Sequence, residues 1–199
     1  MPSVEAALRE ARGKLAPGDA EILLAHVLGR GHGWLYAHGD EDLAPALAER
    51  FSGLVERRRQ GAPVAYLTGR RGFHALDLDV SPATLVPRPE TELLVDLALD
   101  RLPVDRAARA AELGTGSGAV ALALARARPM ASVLATDASR AALDVARANA
   151  TRLGIDNVAF ALGHWWDALG DARFEIFKGH GLGRLLILVV IPALSRDPS

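Results

Sequence analysis

Residues 112–118 read Glu112-Leu113-Gly114-Thr115-Gly116-Ser117-Gly118, with three glycines in five residues. Glycine accepts positive φ angles and has no Cβ, so this stretch allows a tight strand-to-helix turn whose backbone N–H groups can approach a ligand. Asp137 follows about 20 residues later, where an acidic residue accepts the ribose hydroxyls of a nucleotide. The pattern predicts a nucleoside-bearing cofactor across the first two strands of an α/β sheet. A purely structural glycine turn remains the alternative.

The residues around this loop alternate between short apolar runs and helical segments. Such alternation favours a parallel sheet with crossover helices, which binds ligands at the carboxyl edge of its strands. The predicted strands are Ala110–Leu113, Ser132–Thr136, Val158–Leu162 and the start of a fourth at 174–176. The predicted helices are Ala119–Ala127 and a second one that runs from a capping Ser139 to Leu153 and stops at Gly154.

The sequence before the loop has a different character. Residues 4–60 carry apolar side chains at three- and four-residue spacing, which indicates amphipathic helices. Residues 61–69 are rich in turn formers, and apolar residues alternate with polar ones over 73–80, as in a strand or hairpin. Pro87-Arg88-Pro89 keeps the next segment extended, so a further helix is expected to open only at Thr91 and Glu92.

Composition limits the classes of function. The 199 residues are 50% hydrophobic and 24% charged, and the formal net charge is −1. This near-neutral balance gives no basic field for nucleic acid, so no direct nucleic-acid partner is predicted. The chain has no cysteine and no signal-peptide pattern, which predicts a cytoplasmic location without disulfides. Its six histidines lack metal-ligand spacing, and no metal site is predicted.

Glu112 separates the possible nucleotide ligands. A carboxylate two residues before the first glycine can reach the ammonium group of S-adenosyl-L-methionine, directly or through water. It would repel the pyrophosphate of a dinucleotide, which makes a nicotinamide dehydrogenase the weakest candidate although Gly114, Gly116 and Ala119 fit the relaxed dinucleotide pattern.

Three stretches together resemble a known family. They are Gly61-Ala62-Pro63-Val64-Ala65-Tyr66-Leu67-Thr68-Gly69, with Phe73 after it, Val86-Pro87-Arg88-Pro89-Glu90-Thr91-Glu92, and the glycine loop. In this order they are similar to the bacterial peptide chain release factor N5-glutamine methyltransferases, the PrmC/HemK family. The resemblance runs to about Ile176. It implies a helical domain, a hairpin linker and a Rossmann-like domain that methylates the glutamine amide in the Gly-Gly-Gln loop of release factors.

The resemblance also implies which residues hold the cofactor. Gly114, Thr115, Gly116, Ser117 and Gly118 match the loop expected to pass under the methionine and ribose parts of S-adenosyl-L-methionine. Asp137 matches the ribose-binding acid. Trp165 matches a tryptophan that lines the adenine pocket, with core packing as the alternative. The family usually has an aspartate before that tryptophan, and this chain has His164.

The sequence departs from the family after Ile176. The family continues its fourth strand into Asn-Pro-Pro-Tyr, which accepts hydrogen bonds from the substrate amide and aims its nitrogen at the methyl group. None of the 199 residues matches that motif, so no catalytic residue is assigned. Our hypothesis is a frameshift or fusion near codon 177. Methyltransferase sheets of this type place strand four beside strand one, so ending the resemblance at Ile176 leaves strand four as an edge. The apolar run at 185–191 is too short to span a membrane and is expected to pair with that edge in its own chain, or with another molecule.

The fold class expected is therefore α/β: an incomplete Rossmann-like methyltransferase domain after a small helical domain. The expected divisions are residues 1–72 for substrate recognition, 73–89 for the linker, 90–176 for part of the methyltransferase domain and 177–199 for an aberrant tail. The expected activity is S-adenosyl-L-methionine-dependent methylation of release factors. The alternatives are a non-catalytic protein that binds the cofactor or the release factor, and a nucleic-acid adenine methyltransferase.

Overall fold

The computed structural model describes residues 1–164 and the strands at 175–181 and 184–191. Contacts divide the chain into two compact units, Met1–Gly69 and Arg70–Ser199. The first unit consists of helices α1 (Val4–Arg12), α2 (Asp19–Leu28), α3 (His32–Ala37), α4 (Pro45–Arg59) and α5 (Val64–Thr68). Their apolar faces form one core that includes Leu8, Leu23, Leu24, Leu35 and Phe51.

The first unit differs from the sequence prediction at two short helices. Helix α3 has six residues, too few to show a helical period, and α5 lies in the stretch we expected to be turns. Pro63 precedes α5, where the absence of its N–H leaves no hydrogen bond unmade, and Leu67 is buried in the core. Burial of one apolar face therefore outweighs the turn-forming composition of residues 61–69.

The second unit begins with an antiparallel hairpin, as predicted. Its strands are β1 (Arg70–Phe73) and β2 (Leu76–Asp79), joined by His74 and Ala75 at φ angles of 45° and 61°. A 3₁₀ turn at Pro89–Thr91 then leads into α6 (Glu92–Leu99). The remaining elements are β3 (Ala108–Leu113), α7 (Ala119–Ala127), β4 (Ala131–Asp137), α8 (Arg140–Leu153), β5 (Val158–Leu162), β6 (Glu175–Gly181) and β7 (Arg184–Ile191).

A sheet in the order β5-β4-β3-β7-β6 organises the second unit. Strands β3, β4 and β5 are parallel, which confirms the predicted βαβαβ pattern. Leu113 pairs with Thr136 in the β3–β4 register, so the glycine loop and Asp137 leave the sheet side by side. The core between sheet, hairpin and helices includes Phe73, Leu78, Val95, Val120, Leu124 and Val133.

The caps of α8 confirm the prediction for that helix. The hydroxyl of Ser139 accepts a hydrogen bond from the N–H of Ala142 at 3.2 Å. At the other end, Gly154 adopts a φ of 63°, a left-handed conformation that glycine tolerates best. The sequence of α8 therefore determines where the helix begins and where it ends.

The expected position of the fourth strand is wrong. We expected it beside the first strand of the Rossmann-like sheet, but β7 lies between β3 and β6 and is antiparallel to both. A run of leucine, isoleucine and valine without charge suits a central strand, whereas β6 contains Lys178 and His180 and suits an edge. Of the two alternatives for the run at 185–191, the structure shows the first, because β7 pairs with β6 in the same chain.

Candidate functional site

The glycine loop is anchored to the strand beside it. The N–H groups of Gly114 and Thr115 both donate to the carbonyl of Thr136, at 2.8 and 2.9 Å. The N–H of Gly118 then donates to the carbonyl of Thr115 at 2.9 Å, which closes the turn before α7. The loop is thus a fixed feature of the β3–β4 edge.

The three loop glycines have positive φ angles but different surroundings. At Gly114 (79°) and Gly116 (58°), no heavy atom of the described residues lies within 4 Å of the position a Cβ would take. At Gly118 (85°), a Cβ would come within 3.0 Å of the Leu122 side chain and 3.2 Å of Ala146. Gly118 therefore allows α7 and α8 to pack, whereas Gly114 and Gly116 face open space that a ligand could use.

Asp137 lies directly across from the loop. Its Oδ2 accepts from the N–H of Gly116 at 2.9 Å, and its Oδ1 accepts from the N–H of Ser139 at 2.9 Å. Each carboxylate oxygen has a further lone pair, so Asp137 can still accept hydrogen bonds from ligand hydroxyls. The structure brings Asp137 and Gly116 together as the sequence predicts.

Glu112 does not occupy the position we expected. Its residue is 1% exposed, and its Oε2 accepts from the Thr115 hydroxyl at 2.6 Å and from the Ala121 N–H at 2.9 Å. Burial raises the pKa of Glu112 to about 7; the bonds from Thr115 and Ala121 lower it, and the Asp137 carboxylate raises it. Glu112 therefore holds the loop from inside, which corrects the expectation that it reaches toward a ligand's ammonium group.

Thr115 and Ser117 are also buried, at 5% and 2% exposure. The Thr115 hydroxyl is engaged by Glu112, and the Ser117 carbonyl accepts from Asn149 at 3.0 Å. These two loop residues can therefore meet a ligand through their backbone rather than through their side chains.

Sequence reasoning missed Asn149. Its side chain is fully buried on α8, among the apolar positions Ala142, Ala146 and Ala150. A polar residue within an apolar helical stripe is a signal that could have been recognised, because a buried amide needs hydrogen-bond partners.

Strand β5 ends beside Asp137. The N–H of Gly163 donates to the Asp137 carbonyl at 3.1 Å, which brings the end of β5 next to the site. His164 follows and is exposed, and Trp165 lies outside the described residues.

Neither a metal-binding cluster nor a membrane-spanning helix occurs among the described residues. No three His, Asp or Glu side chains are grouped so as to hold a metal ion. No helix there has the length and hydropathy needed to cross a membrane.

The sheet, the loop and Asp137 fit one class of protein. Residues 105–178 match a family model described as "Methyltransferase domain", so the second unit contains such a domain. Residues 3–69 match the "PrmC N-terminal domain". The chain is thus similar to release factor glutamine methyltransferases in both units.

Several relatives named "Release factor glutamine methyltransferase" show this similarity. The protein of Xylella fastidiosa (strain Temecula1 / ATCC 700964) is 53% identical over 176 residues, which are 88% of this chain and 64% of that protein. The Escherichia coli (strain K12) protein is 45% identical over 79% of this chain and 57% of its own length. The chain thus spans somewhat less than two thirds of these relatives. A solved structure of a protein-L-isoaspartate O-methyltransferase is 22% identical to this chain. The alignment covers 74% of this chain and 43% of that protein, with a TM-score of 0.38. This likeness is too slight to bear on the fold.

Proposed function

We propose that the second unit binds S-adenosyl-L-methionine and that the chain acts on peptide chain release factors. The observation that carries the cofactor proposal is the Asp137 carboxylate beside Gly116 at the carboxyl edge of β3 and β4. A nucleoside needs acceptors for its ribose hydroxyls, next to a backbone that it can approach closely. This edge of the sheet supplies both.

The residues present fit the cofactor. The open space at Gly114 and Gly116 would hold its methionine and ribose parts, and Asp137 would accept from the ribose hydroxyls. Thr115, Ser117 and Gly118 would shape the loop beneath it, and Trp165 would line the adenine. When bound, the cofactor supplies a methyl group, which a nucleophile can take from the positively charged sulfur. This chain's own residues orient it and keep the loop in place.

The substrate proposal is the side-chain amide of the glutamine in the Gly-Gly-Gln motif of release factors. The names of the relatives and the match over residues 3–69 support it. Under this proposal residues 1–72 recognise the substrate, 73–89 link the two parts and 90–176 carry the cofactor. The protein would work in the cytoplasm, without a nucleic-acid, membrane or metal partner.

Binding and methyl transfer need separate tests, because none of the 199 residues matches the Asn-Pro-Pro-Tyr motif that positions the amide. Calorimetry with S-adenosylhomocysteine tests the cofactor site. Transfer of labelled methyl to a release factor, compared with a variant of that factor whose Gly-Gly-Gln glutamine is alanine, tests the substrate.

The two measurements divide the proposals. Binding with transfer supports both, whereas transfer to the alanine variant would contradict the proposed target atom. Binding without transfer favours a non-catalytic protein that holds the cofactor or the release factor. A chain that binds neither ligand would refute the proposed function.

Asp137→Ala should weaken S-adenosylhomocysteine binding by about 1.5–3 kcal/mol, because charge-assisted hydrogen bonds to the ribose are lost. Calorimetry on both proteins measures the difference. Asp144→Ala is the matched control: Asp144 is an exposed carboxylate on α8 that pairs with Arg147 at 3.4 Å. Equal losses in the two variants would contradict a ribose contact at Asp137.

A further inference from the structure

Asn149 uses its whole hydrogen-bonding capacity. Its Nδ2 donates to the carbonyls of Asp79 at 2.9 Å and Ser117 at 3.0 Å. Its Oδ1 accepts from the Asp79 N–H at 2.7 Å and from an Arg152 guanidinium N–H at 3.0 Å. An amide has two donor hydrogens and two acceptor lone pairs, so Asn149 is completely satisfied inside the protein.

One end of this arrangement is the hairpin. Asp79 is the last residue of β2, and Asn149 bonds to both its N–H and its carbonyl, as a neighbouring strand would. Arg152 adds a bond from its Nε to the Asp79 carboxylate at 2.8 Å. A two-stranded hairpin is marginally stable by itself, so these bonds from α8 fix where it ends.

The other end is the glycine loop. Ser117 stands between Gly116, which faces open space, and Gly118, which packs against Leu122 and Ala146. The Ser117 carbonyl and the Asp79 carbonyl share the two hydrogens of a single Nδ2. A shift of either backbone group therefore disturbs the bond made by the other.

We propose that Asn149 is a positioning residue that couples the cofactor loop to the β1–β2 hairpin. The inference rests on the proposed function, because S-adenosyl-L-methionine is the ligand that would order the loop. A ligand that fixes Ser117 also fixes Asn149 and, through it, Asp79. The coupling is reciprocal. If ligand binding shifts the equilibrium of the hairpin toward its ordered state by some factor, disordering the hairpin lowers the affinity for the ligand by the same factor.

Hydrogen exchange on the full chain, with and without S-adenosylhomocysteine, tests the coupling. In the parent protein, ligand should slow exchange in a peptide spanning residues 76–80, including the Asp79 N–H. In Asn149→Asp, a carboxylate oxygen takes the place of the amide nitrogen and its two hydrogens. This oxygen faces the two carbonyl oxygens and cannot donate to either, so the ligand-induced slowing of exchange should disappear. Calorimetry should show affinity about tenfold weaker, as expected when charged or buried bonds are broken.

Asn157→Asp is the matched control. The Asn157 Nδ2 donates to the carbonyls of Ala125, Arg128 and Ala131 at 3.0, 3.1 and 2.9 Å, and none of these bonds reaches the hairpin or the glycine loop. The two variants lose comparable bonds within the same unit. Asn157→Asp should therefore lower the melting temperature but keep both the affinity and the ligand-induced slowing at 76–80.

Several outcomes would overturn the coupling. Ligand that binds the parent without slowing exchange at 76–80 refutes it even if no variant folds. The coupling is also refuted if Asn149→Asp binds S-adenosylhomocysteine as tightly as the parent does. It is refuted as well if Asn157→Asp loses as much affinity, because Asn149 would then have only a general structural role. If Asn149→Asp does not fold, Asn149→Ala replaces it with the same expected losses. A parent that binds no ligand overturns the proposed function, and the coupling with it.

Discussion

Gly116→Val should bind no S-adenosylhomocysteine at concentrations that saturate the parent chain. The valine side chain would project into the open space that we assign to the cofactor, and Gly116 is the residue whose N–H faces Asp137. Gly116 also has a φ of 58°, which costs a residue with a Cβ about 1–2 kcal/mol. Calorimetry should show loss of binding, and circular dichroism should show that the chain remains folded.

Gly154→Val separates the lost space from the backbone strain. Gly154 has a φ of 63° and likewise no described atom within 4 Å of its Cβ position, but it caps the C-terminus of α8, outside the site. The control should lose similar stability and keep its affinity. If both variants lose binding, backbone strain rather than occupied space explains the loss. If Gly116→Val binds as tightly as the parent, the loop is not the cofactor site.

The sequence predicts the parts of this fold that depend on local chemistry. Ser139 and Gly154 determine the ends of α8, and alternating apolar residues determine the hairpin. Helices α3 and α5 have too few residues for a period to emerge. The order of β6 and β7 depends on how strands compete for the exposed edge of β3, and this long-range choice leaves no local signal.

The candidate site divides in the same way. Asp137 and the loop glycines could be predicted because a strand-to-helix turn places them at one sheet edge. The inward orientation of Glu112 could not, since the same spacing serves a ligand contact or a buried bond to Thr115 equally well. Asn149 bonds to Asp79, 70 residues earlier in the chain, and only the folded structure brings the two together.

Glu112→Gln should remove a pH dependence from the free energy of unfolding. In the folded protein, burial raises the pKa of Glu112 from its ordinary value of 4.5 to about 7. Between these two values the folded state retains a proton that the unfolded state has released. Stability should therefore fall as the pH rises through this window, by at most about 1.4 kcal/mol per pH unit, and should be level below and above it.

Glutamine has the shape of the protonated carboxyl group and does not titrate, so it keeps an oxygen for Thr115 and Ala121 at every pH. Urea unfolding of both proteins, followed from below the ordinary glutamate pKa to above the raised one, measures the effect. The difference between parent and variant cancels the other carboxylates, among them Glu21, whose pKa is lowered with the help of its hydrogen bond from Arg12 and which therefore acts in the opposite direction. The variant should gain on the parent steadily as the pH rises. A difference that stays constant would mean that the pKa of Glu112 is the same in the folded and the unfolded protein, because the bonds from Thr115 and Ala121 offset the effect of burial. The loop would then carry a negative charge beneath the cofactor position at neutral pH.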